Sequence, residues 1–522
     1  MSQSQPTFVF RRSPELDGQT TRHPVIVLGA GPVGLAAAVD LALHDISCVV
    51  IDSRSDVSEG SRAICWAKRS LEICDRLGTG DALVEKGVTW NEGEIFVGDE
   101  LIYSFNLLPE PDHKRPAFIN LQQFFFEQQM VARATELAAI DLRWQHSARD
   151  VRSFDDHVEI QVDTPDGPYT LEGDWLIACD GVRSQTRESL GLDFEGRVFQ
   201  DRFLIADIRM KEDFPAIRRF WFSPTFFDGQ STLMHKQADD VWRIDFQLGW
   251  DADPDEERKA ERVIPRIERM LGHGDFEIVW TSVYTFTCRR LARLRHGCVF
   301  FAGDSAHVVS PFGARGGNSG LQDTDNLAWK LASVIRGDAP ERLLDSYDAE
   351  RIPATDENLL NSTRSTDFMT PKSKVSGAFR DAVLDLARDH EFARRLVNSG
   401  RLSVPARYSD SPLNTPDADT FKDGPPPGAP AIDAPLQSNA GDWLIDHLAD
   451  NAFTLVHFGT DAPSIDGLNL VLIDATGLAS DRYDARPGTC YLFRPDQHVA
   501  ARWRHFNADA VTEAWNRACA RL

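Results

Sequence analysis

The sequence predicts an α/β protein in which a doubly wound sheet is interrupted by an inserted, mostly antiparallel β-sheet domain and followed by a third domain. Two observations carry this prediction. Near the N-terminus, the order strand, glycine-rich turn, helix and strand over residues 25–52 is that of a βαβ unit. Residues 200–290 instead contain strands that alternate apolar and polar residues, before a wholly apolar strand returns at 299–302. Because the alternating strands lie between two stretches with apolar strands, they indicate a domain that is inserted into a single sheet domain.

The changes of pattern also set the predicted domain boundaries. Residues 241–248 alternate strictly, which predicts a sheet with one apolar face and one face in water. A proline-rich segment precedes further strands and a final helix, and it is typical of a linker. The resulting division is a discontinuous first domain at 20–200 and 290–395, an inserted sheet at 200–290, a linker at 405–435 and a third domain at 436–522.

The composition is acidic. The 522 residues include 56 lysine and arginine against 80 aspartate and glutamate residues, for a formal net charge of −24. This balance argues against nucleic-acid or anionic-membrane binding, which needs a basic surface. The eight cysteines form no C-x-x-C pair, and the N-terminal residues lack the apolar core of a secretory signal. We therefore expect a reduced, cytoplasmic protein with no metal site and no membrane span.

The first chemical motif is a G-x-G-x-x-G sequence, which begins directly after the first predicted strand. Gly29 permits the tight turn, Gly31 lets a pyrophosphate approach the backbone, and Gly34 lets helix pack on strand. The helix, with Pro32 in its first turn, would direct its N-terminus at the phosphates. Asp52 ends the next strand and is placed to accept hydrogen bonds from a ribose. The motif predicts a dinucleotide site, with a glycine-rich packing turn as the alternative, and it does not distinguish NAD from FAD.

Two later segments make that distinction. Residues 179–187 (CDGVRSQTR) follow one apolar strand, and residues 299–318 contain a second, followed by a Gly-Asp pair and a glycine-rich run. With the first motif, in this order, they resemble the single-component FAD-dependent aromatic hydroxylases, the group of para-hydroxybenzoate, phenol and 3-(3-hydroxyphenyl)propionate hydroxylases. The resemblance covers roughly residues 20–390. It implies a Rossmann-like FAD-binding domain, an inserted substrate sheet and a thioredoxin-like C-terminal domain that, without C-x-x-C, is not expected to exchange disulfides.

The resemblance also implies which residues contact FAD. Asp304 would accept a hydrogen bond from a ribityl hydroxyl, and Pro311 would lie beside the reactive C4a position of the flavin. Asp180 would handle the pyrophosphate and NAD(P)H, or only close a turn at the strand end. The residues expected at FAD are Gly29, Gly31, Pro32, Gly34, Asp52, Arg54, Arg62, Gln123 (rather than Gln122), Asp180, Gly303, Asp304, Pro311, Gly313, Arg315, Gly316, Gly317 and Asn318.

The helix after the glycine-rich run is expected to act on the flavin electrostatically. Ser319 and Gln322 form a candidate capping box at its start. The positive end of the helix dipole would then stabilise negative charge on the reduced flavin. Arg315 would add to this field, or it would form an outward salt bridge.

The substrate side is less clearly marked in the sequence. A phenol reacts better once its proton is removed, and four polar residues of the inserted sheet are candidates for this step: His235, Arg243, Asp245 and Tyr284. His235 is the preferred base, although a lone histidine on a strand is more often structural. The predicted catalytic set is His235, Tyr284 and Pro311.

The predicted activity follows from the resemblance. It is an FAD-dependent monooxygenase that consumes NADPH or NADH as a transient cosubstrate and hydroxylates a phenolic or related aromatic ring with O2, through a flavin C4a-hydroperoxide. A flavin-dependent epoxidase or a polyketide or quinone hydroxylase of the same fold is an alternative, as is a non-catalytic FAD-fold carrier. The expected partners are a small aromatic molecule and, in a homodimer, a second copy of the chain.

Overall fold

The structure is a computed structural model, and it describes residues 6–19, 21–60, 62–211, 214–227, 230–310, 312–397, 402–436, 441–460 and 465–522. The predicted βαβ unit is present at the N-terminus. It consists of β1 (Arg22–Leu28), α1 (Pro32–Leu43) and β2 (Cys48–Asp52).

The remaining elements follow in chain order. The segment up to residue 189 contains β3 (Cys65–Ala67), α2 (Lys68–Arg76), α3 (Gly80–Lys86), β4 (Val88–Trp90), β5 (Glu92–Val97), β6 (Glu100–Asn106), β7 (Phe118–Asn120), α4 (Gln123–Glu136), β8 (Ile140–Trp144), β9 (Ser147–Ser153), β10 (Val158–Thr164), β11 (Gly167–Ala178) and α5 (Gln185–Ser189). The segment up to residue 396 contains β12 (Phe194–Arg209), β13 (Arg218–Phe222), β14 (Thr232–Lys236), β15 (Val241–Leu248), α6 (Pro254–Glu257), α7 (Ala260–Leu271), β16 (Glu277–Leu291), β17 (Arg295–His296), β18 (Val299–Phe301), β19 (His307–Val308), α8 (Gly316–Ile335), α9 (Asp345–Met369), α10 (Lys374–Asp389) and α11 (Glu391–Leu396). The C-terminal part contains α12 (Leu444–His447), β20 (Thr454–Phe458), β21 (Asn469–Ile473), α13 (Gly477–Arg482), β22 (Cys490–Phe493), β23 (Val499–Trp503) and α14 (Ala508–Ala518).

The first domain is built on a mostly parallel sheet with the order β17-β18-β11-β1-β2-β8, to which β10 and β9 add an antiparallel extension. The central strands are apolar on both sides: Val25, Ile26 and Val27 have no exposed surface. Such strands need cover on both faces. Helices α1 and α8 supply it on one side, and the carboxyl ends of β1 and β18 open onto the two glycine-containing loops. The mixed α/β fold is therefore the one predicted.

The second sheet has eight strands in the order β19-β16-β12-β15-β14-β13-β5-β6. Strands β5 and β6 come from residues 92–106, which the sequence assigned to the first domain. Strand β5 pairs in parallel with β13 through backbone hydrogen bonds. The boundary at residue 200 therefore does not separate the two sheets, because backbone pairing between distant segments leaves no local sequence signal.

The two faces of this sheet have different partners. On one face, Trp242 and Phe246 pack with Val263 and Ile267 of α7 in an apolar core. On the other face lies Arg243, which is only 4% exposed. The prediction of a face in water is wrong, because the first domain covers this polar face. It is an internal surface between the two sheets.

The proline-rich segment at 405–435 lacks helices and named strands but is packed rather than extended. Leu413 joins the apolar cluster of the C-terminal domain, and the Tyr408 hydroxyl accepts a hydrogen bond from Arg351 of α9. The C-terminal domain is a four-stranded sheet in the order β21-β20-β22-β23, in which only the β20–β21 pair is parallel.

A buried ionic network fixes the C-terminal domain to the first domain. Arg494 donates to Glu350 Oε1 at 2.5 Å and also pairs with Asp496, and Lys330 Nζ lies 2.6 Å from Glu350 Oε2. These four side chains have no exposed surface. Charges at this depth are tolerated only when they are paired. These ion pairs therefore hold the third domain in a fixed position against the first domain. Among the described residues, no helix has the length and apolar character needed to cross a membrane.

Candidate active site

The glycine loop between β1 and α1 leaves one open position. Gly29 has φ 105°, and a Cβ there would lie 2.5 Å from the carbonyl oxygen of Cys179. A Cβ on Gly34 would lie 1.9 Å from the carbonyl oxygen of Gly29. Gly31, in contrast, has ordinary extended backbone, and an added Cβ would meet nothing within 4 Å. Neither the fold nor the packing requires glycine at position 31, so the open space at the α1 N-terminus fits a ligand that approaches the backbone.

Asp52 is at the predicted position but is already engaged by the chain. Its Oδ2 accepts a hydrogen bond from the Ala30 N–H at 2.7 Å, and Arg54 Nε donates to Oδ1 at 3.1 Å. The carboxylate therefore holds the glycine loop against the end of β2, with Arg54 lying over it. Beside this pair is a pocket of about 450 Å³ lined by residues that include Ser53, Ser55, Asp56 and Gln145. Its place at the carboxyl end of β2 is suited to the adenosine part of a dinucleotide.

The second loop, after β18, presents Asp304. Gly303 has φ 65°, and Asp304 is exposed on the surface of the cleft between the loop and α8. A Cβ on Gly316 would lie 4.0 Å from Asp304 Oδ1, so the carboxylate faces the first turn of α8. Partial desolvation by the surrounding protein raises the pKa of Asp304 above its usual value, and the charges of His307 and Arg62 offset only part of this rise. The predicted ribityl acceptor thus reaches the helix N-terminus.

Asp323 of α8 holds this loop in place, and sequence reasoning did not find it. Its Oδ2 accepts the Gly303 N–H at 2.9 Å and lies 2.7 Å from His307 Nε2, while Arg351 Nε donates to Oδ1 at 2.8 Å. Burial would raise the pKa of Asp323, but His307 and Arg351 outweigh it, and the pKa is lowered. The three partners are 16, 20 and 28 residues away in sequence, which is why no motif shows them.

Helix α8 begins earlier than predicted. Its N-cap is Arg315, so Ser319 lies inside the helix and the predicted capping box with Gln322 is wrong. Instead, Ser319 accepts a hydrogen bond from Arg351, and Gln322 donates to the carbonyl of Asn318. The first turn consists of small residues, which leaves its N–H groups approachable.

The residues around this first turn are arranged by Asn318. Its Oδ1 accepts from the Ala67 N–H at 2.8 Å and from Ser70 Oγ, and its Nδ2 donates to Cys65 and Ala314 carbonyls. The side chain is saturated by the protein, so any contact of Asn318 with a cofactor runs through its backbone. Gly313 has φ 96°, and Gly317 packs against Trp66.

Arg315 is buried rather than outward. It is 1% exposed and donates to Asn358 of α9 at 3.0 Å. Its guanidinium therefore places positive charge beside the start of α8. This is the position that Arg315 needs if it adds to the field of the helix dipole. At 1% exposure, the side chain does not point outward into solvent.

The loop that carries Arg62 is held by Gln123. Gln123 Oε1 accepts the Ala63 N–H at 3.1 Å, and its Nε2 donates to Glu127 at 2.8 Å. Gln122 instead donates to the carbonyl of Ala238 in the second sheet. Arg62 itself is exposed, so its guanidinium is available to a diphosphate.

Asp180 closes the turn at the end of its strand, which is the simpler of its two predicted roles. Its Oδ2 accepts from the N–H and Oγ1 of Thr186, both at 3.0 Å, which closes the turn after β11. Its Oδ1 is buried and has no partner among the described residues.

The structure separates two of the predicted catalytic residues. Tyr284 of β16 is 41% exposed, and partial desolvation of its hydroxyl, together with the charge of Asp304, raises its pKa to about 12. His235 lies on β14, three strand spacings from β16, or about 14 Å across the sheet. Burial, Arg218 and Arg243 hold its pKa well below the usual range, which makes it a weak base. Pro311 lies outside the described residues.

Together these positions fit FAD. The loops that follow β1, β2 and β18 carry the open position at Gly31, one wall of the 450 Å³ pocket, Arg62 and the Asp304 carboxylate. We call this set of positions the FAD path. The donors along it are a helix N-terminus and a guanidinium, and the acceptors are carboxylates. This donor set suits adenosine, diphosphate, ribityl and flavin in that order.

The fold and site define a class of protein. A family model described as an FAD binding domain matches residues 22–362, and the chain belongs to this family. It is a flavoprotein monooxygenase of the aromatic hydroxylase type, as the resemblance in its motifs implied.

Individual relatives are similar to this chain over most of its length. The chain is 30% identical to the 6-methylpretetramide 4-monooxygenase of Streptomyces rimosus over 96% of this chain and 93% of that protein. It is 24% identical to a 3-(3-hydroxy-phenyl)propionate/3-hydroxycinnamic acid hydroxylase of Mycobacterium sp. (strain JLS), over 94% and 90% of the two chains. The solved structure of the anhydrotetracycline hydroxylase from Streptomyces rimosus superimposes with a TM-score of 0.73 at 26% identity, covering 95% of this chain and 99% of that one.

Proposed function

We propose that this chain is an FAD-dependent monooxygenase that takes its electrons from NADPH or NADH and inserts one oxygen atom of O2 into a phenolic or polyketide ring. The observation that carries the proposal is the position of the polar face of the second sheet. This face lies against the loop that carries Arg62, because Arg243 of the sheet donates a hydrogen bond to the carbonyl of Arg62. The charge of Arg62 in turn acts on the pKa of Asp304. A ring bound on the sheet therefore lies beside the flavin end of the FAD path.

The chain's own residues supply binding and electrostatics. Gly31 and the N-terminus of α1 receive the diphosphate, with Arg62 as a further cation, and Asp304 accepts from the ribityl chain. The N-terminus of α8 and buried Arg315 place positive charge where a reduced flavin is anionic. When bound, the flavin accepts a hydride and activates O2, which no protein side chain can do. The covered face of the second sheet excludes water from the ring.

The substrate class rests on the relatives and on the lining of the sheet. The relatives are named for 6-methylpretetramide, for 12-dehydrotetracycline and anhydrotetracycline, and for 3-(3-hydroxy-phenyl)propionate. Phe203, Phe220 and Phe222 cluster on the covered face with Phe312, which directly precedes the glycine-rich run. Aromatic walls of this kind suit a planar ring. An epoxidation on the same ring type is the second candidate, since it uses the same site.

We also propose that the C-terminal domain is thioredoxin-like with a structural role. The support is its strand order, with the first two strands parallel and the last two antiparallel. Its two cysteines, Cys490 and Cys519, are buried free thiols, and burial raises the pKa of each, so the domain is not expected to be redox-active.

The test is to purify the protein and measure its visible spectrum, FAD content and NAD(P)H oxidation. We expect bound FAD and NAD(P)H consumption that anhydrotetracycline or 3-(3-hydroxyphenyl)propionate stimulates, with a product one oxygen atom heavier. Parallel assays with NADH and NADPH identify the cosubstrate, and catalase separates hydroxylation from peroxide release. A protein that cannot be reconstituted with FAD would overturn the proposal, and an epoxide product would favour the second candidate.

A further inference from the structure

Helix α10 has two apolar sides, and the fold covers only one of them. On the covered side, Val383, Leu384 and Ala387 belong to the apolar cluster that includes Phe220 of the second sheet. On the other side the exposed apolar residues recur at intervals of three and four, which places them on one face of the helix. We call this face the α10 stripe, and it consists of Val375, Ala378, Phe379, Ala382 and Leu386.

The stripe is too large to be ordinary surface. Val375 is 80% exposed and Phe379 is 60% exposed, although both are large apolar side chains. Helix α11 extends the face with exposed Leu396 and Phe392, whose ring stacks on His390 at the end of α10 with centroids 5.7 Å apart. Together these side chains present roughly 500 Å² of apolar surface, at the upper end of what a monomer leaves in water, and a patch of this size marks a binding surface.

The stripe is complementary in shape to a second copy of itself. When two copies of α10 pack antiparallel about a two-fold axis between positions 380 and 381, Val375 lies opposite Leu386 of the partner subunit. The same register places the large ring of Phe379 opposite the small side chain of Ala382 of the partner subunit. Large residues packed against small ones across a two-fold axis are what an interface between identical helices requires.

The charges beside the stripe select the same orientation. Lys374, Asp385 and Asp389 are exposed and lie along one edge of the helix, since eleven and four residues are close to whole turns. In an antiparallel pair these edges face each other, so Lys374 lies between the two aspartates of the partner subunit, whereas a parallel pair would place like charges together. Asp381, near the axis, is paired with Arg380 of its own chain at 2.8 Å.

We propose that this protein forms a two-fold symmetric dimer in which the α10 stripes of two copies pack antiparallel, with α11 at the ends of the interface. A lipid surface is a poorer occupant, because the charged edge is mainly acidic and the chain has a net charge of −24. The apolar patch is smaller than the ~800 Å² that each partner buries in a standard stable complex, so we expect a Kd of about 1–100 μM. The proposal goes beyond the monooxygenase activity and does not depend on it.

The first experiment is sedimentation velocity of the full-length, FAD-loaded protein over a range of concentrations around that Kd. We expect the average mass to rise reversibly from that of one chain toward that of two. The Tm should rise with concentration over the same range, because association stabilises the folded state.

Variants of the stripe test where the copies meet. Phe379→Glu should weaken dimerisation by at least about 100-fold, because every dimer contains two copies of the buried charge. Val375→Glu should weaken it as well, and its matched control is Val9→Glu, since Val9 is 81% exposed but lies outside the stripe. The FAD content and the Tm of dilute samples should match the wild-type protein in all three variants, because each residue is exposed.

A charge exchange tests the antiparallel register. Lys374→Glu alone and the double variant Asp385→Lys/Asp389→Lys alone should each dimerise roughly 10-fold more weakly, because each creates two like-charge contacts. Mixed together, the two variants should form a heterodimer with wild-type affinity, since every contact then joins opposite charges. Both changes place acid at the start and base at the end of α10, which the helix dipole favours, so weaker dimerisation would not reflect a lost helix.

The mixture is measured by fluorescence-detected sedimentation with one variant labelled. A chain that stays monomeric at the highest concentration, a dimer that survives Phe379→Glu, or equal effects of Val375→Glu and Val9→Glu would overturn the proposal. Failure of the two charge variants to recover dimerisation on mixing would also overturn it. None of these measurements involves turnover, so their outcome is independent of the hydroxylase assignment.

Discussion

Asp323 offers the sharpest test of how the site is held together. The substitution Asp323→Asn keeps the shape of the side chain and removes its charge. In the wild-type protein the carboxylate neutralises Arg351 at 2.8 Å, approaches His307 at 2.7 Å and accepts the Gly303 N–H at 2.9 Å. Asp323 and Arg351 have no exposed surface, so the variant leaves a guanidinium buried without its counter-charge.

The expected cost follows from that burial. Breaking a buried ion pair by removing one partner typically costs about 3–5 kcal/mol, and we expect this loss in the free energy of unfolding measured by urea titration. The affinity of the apoprotein for FAD, measured by flavin fluorescence, should fall as well, because Asp304 follows the turn that Asp323 anchors. The pKa of Asp323 is lowered in the folded state, so its contribution is present at neutral pH and is lost in acid as the pH falls through that pKa.

A matched control uses an ion pair at the surface. Asp356 accepts from Arg290 Nε at 2.6 Å, but its side chain is 51% exposed. Asp356→Asn should therefore cost no more than about 1 kcal/mol and leave FAD affinity unchanged. If the two variants had equal stability, or if Asp323→Asn retained FAD as the wild-type protein does, the role given to this network would be refuted.

Three further substitutions test the two FAD-binding loops and the anchoring of the C-terminal domain. Gly31→Val should lower FAD affinity without lowering the Tm of the apoprotein, since nothing lies within 4 Å of the added Cβ; a drop in the apoprotein Tm would show that the glycine serves packing. Asp304→Ala should weaken FAD retention through gel filtration, and normal occupancy would contradict the ribityl role. Arg494→Met should lower the free energy of unfolding by about 3–5 kcal/mol, because Glu350 and Asp496 lose a shared buried cation; a change below 1 kcal/mol would contradict the anchoring of the C-terminal domain.

The local features of the site were open to prediction. The turn at Gly29, the helix at Pro32 and the acid at Asp304 depend on residues that are close in sequence, since each loop directly joins a strand to a helix. Their order along the chain was enough to identify the class of cofactor. Where local signals competed, prediction failed: Ser319 has the chemistry of a cap, but the small residues before it let the helix start at Gly316.

By itself, the sequence determined the FAD-binding framework, because glycine turns, apolar strands and strand-end acids are read within a few residues of one another. Only the tertiary structure decided what surrounds the substrate. Strand β5 joins the second sheet from more than 100 residues away, and the first domain covers the face that alternation alone placed in water. Burial placed Arg218 and Arg243 on an internal surface rather than in water and holds the pKa of His235 below its usual range, since desolvation and neighbouring charge depend on the whole fold.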